Sequence, residues 1–171
     1  MQESEPGITA ILNALHDYQV EFIIVGGVCA VLHGTPVTTF DLDVVHSGSP
    51  ENISRVLCVL EYLDAHYRGH PKKIRPDAES LGSQGHHLLI TRFGPLDILG
   101  TIENGLGYTD LIGHTEDIQI ENRTFRVLSL EYFIEIKEKS LFEKDRLRMS
   151  ALKHTLNERE KIRKNEADQT V

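Results

Sequence analysis

Apolar side chains recur along the chain at two spacings, one typical of amphipathic helices and the other typical of strands. Residues 7–18 carry an apolar face at helical spacing, which predicts a first helix. Residues 22–25 are all apolar and predict a short buried strand. The Gly26-Gly27 pair then turns the chain into a small apolar helix that is expected to end before Pro36. This part of the chain therefore predicts helix, strand, glycine turn and helix, in that order.

Further along, helices and strands continue to alternate. The pair Ser49-Pro50 predicts the start of a helix that extends to about residue 64. Ser129 is expected to cap a later helix, whose inward stripe contains Leu130 and Phe133. Short strands are expected at residues 87–91, 95–99, 115–120 and 124–128. This alternation predicts an α/β (α+β) fold in which helices flank a mixed, twisted sheet.

A long segment, residues 68–85, lacks a periodic pattern and contains three glycines and two prolines, so it is expected to be a loop. Its basic residues are Arg68, Lys72, Lys73 and Arg75. Two interpretations are open. The segment is either a solvated, flexible loop or a lid or groove wall that meets the phosphates of a nucleotide or of RNA.

Two aspartates interrupt the apolar segment at residues 40–45, which is otherwise typical of a buried strand. Successive side chains of a strand alternate between faces, so Asp41 and Asp43 are expected to project together on one side. At a separation of about 4 Å their repulsion would be about 4 kcal/mol for an effective dielectric constant near 20. Asp97 repeats the pattern within a later apolar segment, where an unpaired carboxylate is costly. The pattern indicates a bound cation, and a divalent metal fits best.

Composition limits the class of protein. The chain has 171 residues, 40% of them hydrophobic, and this length suits one domain with its own core. The formal net charge of −8 argues against a surface that coats nucleic acid in general, although it is compatible with a local basic groove. No apolar run approaches the ~20 residues needed to span a bilayer, so no membrane association is expected. Cys29 and Cys58 lie in apolar helical patterns and are interpreted as reduced core thiols, which favours a cytoplasmic protein.

Several short motifs follow one another along the chain. They are Gly26-Gly27, His33-Gly34-Thr35-Pro36-Val37-Thr38-Thr39-Phe40-Asp41-Leu42-Asp43, the lone Asp97, Leu130-Glu131-Tyr132-Phe133-Ile134-Glu135-Ile136-Lys137, and Lys144-Asp145. Together, over roughly residues 20–150, they resemble the DNA polymerase beta-type nucleotidyltransferase superfamily. The resemblance is greatest to its minimal bacterial branch, which includes the antitoxin-type enzymes of the nucleotidyltransferase/HEPN pairs and the AbiEii-like toxins. One departure is Val37, since the family often has an arginine there.

The resemblance implies the nucleotidyltransferase fold with a C-terminal helical segment. On this basis residues 1–128 are expected to form the core, and residues 129–162 to pack on it as a helical segment. Residues 163–171 are expected to form a disordered tail, because they are charged and weakly periodic. The implied activity is Mg²⁺-dependent transfer of a nucleoside monophosphate from a nucleoside triphosphate (NTP) to an acceptor hydroxyl.

The resemblance also implies roles for individual residues. Asp41, Asp43 and Asp97 would be catalytic and would hold two Mg²⁺ ions, with Mn²⁺ as an alternative. The residues expected to bind ATP or another NTP are Gly26, Gly27, Thr39, Lys137 and Lys144. Lys137 has independent support, because it lies on the inward stripe of its helix where an apolar residue would be expected.

The acceptor is left open by the sequence. An RNA end, such as that of tRNA, and a partner toxin or antitoxin protein are both compatible with so small a chain, and either would make the protein a toxin-antitoxin component. A small-molecule acceptor such as an antibiotic is an alternative. A non-catalytic nucleotide-binding or complex-forming module is a further alternative, from a different class, which would not need three converging carboxylates.

Overall fold

Seven strands within the described residues form one mixed sheet. The computed structural model describes residues 7–139 and 143–168, with side chains for 7–139 and 148–168. The strands are β1 (Phe22–Val25), β2 (Leu42–His46), β3 (His66–Tyr67), β4 (His86–Thr91), β5 (Gly94–Leu99), β6 (Thr115–Ile120) and β7 (Arg123–Leu128). They lie in the order β3-β4-β5-β2-β1-β7-β6, with β2 parallel to β5 and antiparallel to β1. The mixed sheet that the sequence predicts is confirmed.

Helices flank this sheet. Those of the described residues are α1 (Gly7–Asp17), α2 (Gly26–Leu32), α3 (Pro50–Tyr62), α4 (Ala78–Leu81), α5 (Tyr108–Leu111), α6 (Leu130–Glu138) and α7 (Glu143–Asp168). The two predicted serine caps are confirmed: Ser49 accepts a hydrogen bond from the backbone N–H of Asn52, and Ser129 accepts one from that of Tyr132. A helix long and apolar enough to cross a membrane does not occur in the described part of the chain.

The strand register places four residues side by side across the sheet. Val25 of β1 lies opposite Asp43 of β2. Asp43 in turn lies opposite Asp97 of β5, and Asp97 lies opposite Leu88 of β4. Side chains in such a row project from the same face of a sheet. Two of the three acidic residues singled out in the sequence are therefore neighbours because of the register alone.

The apolar core supports this acidic row from the opposite face of β2. Leu42 and Val44, on either side of Asp43, are completely buried, as the alternation of side chains along a strand requires. They belong to a continuous apolar cluster that also includes Ile11, Leu15, Ile23, Ile24 and Ile98. Because closely packed interiors resist displacement, the backbone that carries Asp43 is held firmly in place.

Helix α7 is attached to the core by Arg159. The guanidinium donates to Nδ1 of His33 at 2.9 Å and to the carboxylate of Glu116, on β6, at 3.0 Å. The other ring nitrogen of His33, Nε2, donates to the carbonyl oxygen of Leu128 at the end of β7, at 2.7 Å. Leu152 adds an apolar contact and is 3% exposed. The C-terminal helix is thus held against β6, β7 and the end of α2.

The strand predicted at residues 40–45 is shorter at its start. Strand β2 begins at Leu42, and the side chain of Phe40 is 81% exposed. Pairing with β5 begins at Leu42, opposite Leu96, so the two preceding residues have no strand partner and leave the sheet. Asp41 therefore lies immediately before the first residue of β2, outside the paired part of the strand.

Three further predictions need correction. Residues 163–168, expected in a disordered tail, continue α7 to Asp168, because the charged sequence forms helical pairs such as Lys161 with Glu158 at 2.8 Å; residues 169–171 lie outside the described part. Cys58 is an exposed thiol of α3, whereas Cys29 is buried as predicted. The segment 68–85 includes helix α4, because Asp77 caps it by accepting from the N–H of Ser80.

Candidate active site

Three carboxylates converge where the start of β2 lies beside the middle of β5. Asp41 immediately precedes β2, Asp43 is its second residue, and Asp97 lies within β5. One oxygen from each carboxylate lies within 4.8 Å of the others. Oxygen ligands at this spacing suit a hard divalent cation such as Mg²⁺ or Mn²⁺. The residues that the sequence singled out for metal binding are thus brought together.

Burial and mutual repulsion raise the pKa of two of these carboxyl groups. For Asp43 the pKa rises from 3.8 to about 7, mainly through burial and then through the negative charges of Asp41 and Asp97. Burial also raises the pKa of Asp97, while the nearby guanidinium of Arg68 opposes this rise. The raised pKa values show that the negative charges of these carboxylates destabilise one another, so a bound cation would stabilise the site.

Glycine is required at positions 26 and 27, because the backbone at the start of α2 lies very close to the side chains of Asp43 and Thr39. Gly26 has φ +66°, and a Cβ atom there would lie 2.2 Å from Oδ2 of Asp43. A Cβ atom on Gly27 would lie 2.5 Å from Oγ1 of Thr39. Only glycine fits either position without displacing its neighbour. The glycine turn is therefore part of the acidic site and not an ordinary loop.

Thr39 lies beside Asp41. Its hydroxyl is 3.2 Å from the backbone carbonyl oxygen of Asp41 and 3.3 Å from Oδ1 of the same residue, so it can donate a hydrogen bond to either. These contacts place the Thr39 hydroxyl where it can orient the carboxylate of Asp41. The sequence-based expectation was a contact with the nucleotide.

Two cavities adjoin the carboxylate cluster and share Asp43, Gly26, Phe133 and Lys137 in their walls. The first cavity, of about 210 Å³, is also lined by Gly27, Val37 and Arg148. The second cavity, of about 500 Å³, is also lined by Asp97, Glu103, His86 and the apolar residues Leu88, Leu99, Ile102 and Leu128. Both cavities thus contain a carboxylate and the ammonium of Lys137. The first adds a second cation, Arg148, and the second adds two further carboxylates and several apolar side chains.

Lys137 reaches both cavities from helix α6. Its ammonium group pairs with Glu103 and lies 5.9 Å from the ring centroid of Phe133. The inward position that the helical stripe predicts is confirmed, since the side chain is only 20% exposed. The side chain of Lys144, and that of Asp145, lie outside the described residues.

The basic segment divides into two parts. Arg68 donates to Oδ1 of Asp97 and so belongs to the site. Lys73 and Arg75 instead pair with Asp64, at 3.0 and 2.6 Å. Neither of the two open interpretations of this segment included an ion pair with a carboxylate of the site, and a contact with phosphates stays a prediction.

Sequence reasoning missed the position of three residues. Arg68 was singled out only as one of several loop cations, and neither Glu103 nor Arg148 was given a role. Each reaches the site through tertiary packing: Arg68 follows β3, Glu103 follows β5, and Arg148 lies on α7. The short strand β3 carries no sequence pattern that would have revealed the first of them.

The mixed sheet with its acidic row has the fold of solved nucleotidyltransferases. The lincosamide antibiotic adenylyltransferase LnuA, solved with lincomycin bound, is 19% identical over 88% of this chain and 96% of its own, with a TM-score of 0.59. A Thermotoga maritima protein assigned to the nucleotidyltransferases is 20% identical over 91% of this chain and 96% of its own, with a TM-score of 0.55.

A third solved structure has the same fold. The enzyme ANT(2'')-Ia, in complex with adenylyl-2''-tobramycin, is 16% identical over 96% of this chain and 97% of its own, with a TM-score of 0.55. No family model and no curated protein matches the sequence. The fold is therefore established by structural likeness, and the activity rests on the site.

Proposed function

We propose that this protein is a metal-dependent nucleotidyltransferase, which transfers a nucleoside monophosphate from an NTP to an acceptor hydroxyl and releases pyrophosphate. The observation that carries the proposal is the convergence of Asp41, Asp43 and Asp97 to within 4.8 Å beside the Gly26-Gly27 turn. The nucleotidyltransferase fold of the structural neighbours supports it.

The three carboxylates would hold two Mg²⁺ or Mn²⁺ ions. Asp41 and Asp43 would contact both ions, and Asp97 would complete the site of the second. When bound, such ions neutralise the charge of a triphosphate and lower the pKa of an acceptor hydroxyl. Thr39 would keep Asp41 oriented through its hydroxyl.

The first cavity suits the triphosphate. The Gly26-Gly27 turn lets phosphate oxygens approach the backbone closely. Lys137 and Arg148 line the same cavity and would neutralise the phosphate charge. Arg148 supplies a guanidinium to a cavity that Val37 also lines, so it would serve in place of the arginine that the related family often has at that position. Lys144, on α7, stays a proposed nucleotide contact.

The second cavity suits the acceptor. Asp97 lines it, so its carboxylate would accept the proton of the acceptor hydroxyl while the acceptor oxygen forms a bond to the α-phosphorus. The bond between that phosphorus and the bridging oxygen to the β-phosphate would break, and pyrophosphate would leave from the first cavity. Catalysis would rest on positioning and on charge stabilisation.

The acceptor class is the finer part of the proposal. An RNA end such as that of tRNA, or a hydroxyl of a partner toxin or antitoxin protein, would make this chain a toxin-antitoxin component. A small-molecule acceptor is the second candidate, and a specific observation favours it: the second cavity combines apolar walls with the carboxylates of Asp97 and Glu103. Apolar walls suit a compact hydroxyl-bearing molecule better than a nucleic-acid backbone.

Label transfer tests the proposal. The purified protein is incubated with Mg²⁺ and each NTP labelled at the α-phosphate, together with total RNA, a cell lysate, or a panel of lincosamides and aminoglycosides. We expect label on one acceptor class and a loss of roughly a hundredfold or more in Asp43→Asn. Asp117→Asn is the matched control, because Asp117 is exposed on the distant edge strand β6.

Two outcomes would count against the proposal. Undiminished transfer by Asp43→Asn would refute the role of the carboxylates. Nucleotide binding without transfer to any acceptor would favour the non-catalytic binding module.

A further inference from the structure

Arg68 forms an ion pair with Asp97, a carboxylate that would bind a metal ion in the proposed function. Its guanidinium donates to Oδ1 of Asp97, whose side chain is only 9% exposed. The side chain of Arg68 itself is 31% exposed, so the ion pair lies at the boundary between the site and solvent. One oxygen of the third carboxylate is therefore already committed to a cation of the protein.

The position of Arg68 follows from the strand register. Tyr67 of β3 lies opposite Leu89 of β4, and the N–H of Arg68 donates to the carbonyl oxygen of Leu88 at 3.0 Å. Leu88 lies opposite Asp97. Arg68 thus lies at the β3 end of the cross-strand row that holds Asp97 and Asp43. Its side chain crosses β4 to reach the carboxylate of Asp97. The backbone of Arg68 is anchored by the hydrogen bond to Leu88, and its partly exposed side chain borders solvent.

We propose that Arg68 is a resident counter-ion of the metal-free site, and that it competes with a divalent cation for Asp97. This inference rests on the proposed function, since it concerns the same three carboxylates. In the metal-free protein Arg68 offsets part of the charge of the acidic row, and a buried carboxylate without such a partner is costly. A divalent cation at the same oxygens would be repelled by the guanidinium, so Arg68 leaves Asp97 when the site is loaded.

Mn²⁺ binding, followed by the paramagnetic resonance of the free ion, tests the competition. Arg68→Met keeps the alkyl stem and removes the charge, and we expect it to bind Mn²⁺ about tenfold more tightly than the wild type. Arg68→Lys keeps the charge and is expected to stay near the wild type. The matched control is Arg75→Met, which removes the same charge from the same segment at its pair with Asp64 and should change the affinity less than about twofold.

A purely structural role for Arg68 predicts the opposite sign, because loosening the site would weaken Mn²⁺ binding. Unchanged or weaker binding by Arg68→Met overturns the inference and leaves the proposed function standing. Absence of Mn²⁺ binding in the wild type overturns both.

A measurement on the wild-type protein covers the case in which Arg68→Met does not fold. The Nε–H NMR signal of Arg68, assigned by comparison with Arg68→Lys, should report an ordered side chain without metal. It should become mobile when Mg²⁺ is added. A resonance that stays ordered at saturating Mg²⁺ overturns the inference.

Discussion

Asp43 is the residue on which the chemistry of the site depends most. It is half-buried, it lies close to two other carboxylates, and its pKa is raised to about 7. In the absence of metal and at a pH between about 4 and about 7, Asp43 is therefore protonated in the folded protein and ionised in the unfolded chain. This proton couples stability to pH in a direction opposite to that of an ion-paired carboxylate.

We predict that the contribution of Asp43 to the stability of the metal-free protein falls as pH rises from about 4 to about 7. Across this window the pKa of Asp43, 3.8 in the unfolded chain and about 7 in the fold, contributes a loss on the order of 4 kcal/mol. The measurement is urea unfolding in a chelator at several pH values, for the wild type and for Asp43→Asn. The stability difference between the two should shift in favour of the variant as pH rises, and a pH-independent difference would contradict the assignment.

Gly26 offers a test of the close approach between the glycine turn and Asp43. In Gly26→Ala the new methyl group would meet Oδ2 of Asp43 at 2.2 Å, and φ is +66°. Strain and clash together should lower the unfolding free energy by about 2–3 kcal/mol and weaken Mn²⁺ binding. Gly34→Ala is the matched control, because its φ is +90° but no atom lies within 4 Å of the new methyl group.

In Gly34→Ala we expect a loss of about 1 kcal/mol with Mn²⁺ affinity intact. Equal effects of the two substitutions on Mn²⁺ binding would show that the contact between Gly26 and Asp43 does not matter.

Among the elements, the strands and capped helices near the site are those that the sequence predicts best. The hairpin of β4 and β5 follows from two short apolar segments around a turn, and the start of α6 follows from Ser129. These features have local causes, since a cap or a turn involves residues a few positions apart. The nearness of Asp41 to Asp43 was predictable for a similar reason, whereas the position of Asp97 beside Asp43 depends on the pairing of β2 with β5.

Contacts between distant elements could not be predicted in this way. Arg68 reaches Asp97 across 29 positions, and Lys137 reaches Glu103 across 34. Arg148 lines the first cavity because α7 packs on α6. The strand β3, only two residues long, is formed by pairing with β4 and not by a pattern of its own.

Helix α7 carries Arg148, which we propose contacts the nucleotide in the first cavity. We predict that Arg148→Met weakens binding of the NTP about tenfold, because it removes a guanidinium from the first cavity. Titration with a non-hydrolysable NTP analogue, monitored by calorimetry, measures the effect. Lys161→Met is the matched control, since Lys161 lies on the same helix and pairs with Glu158 at the surface; an equal loss in both variants would indicate a general charge effect instead.

For the whole molecule, the acidic row of the sheet lies beside two cavities that share Asp43 and Lys137. Arg148 adds a second cation to one of them, and Asp97 and Glu103 add carboxylates to the other. The net charge of −8 disfavours nonspecific attraction of polyanions. An NTP would therefore depend on the local cations and metal ions at the site to approach.

The most direct test of nucleotidyl transfer compares NTPs labelled at the α-phosphate and at the γ-phosphate, with Mg²⁺ and the acceptor found in the screen. The account predicts that the α-label enters the acceptor and the γ-label appears in pyrophosphate. Both should be lost in a chelator and in Asp43→Asn, and both should persist in Asp117→Asn. Entry of the γ-label into the acceptor, or α-label transfer by Asp43→Asn at the wild-type rate, would contradict it.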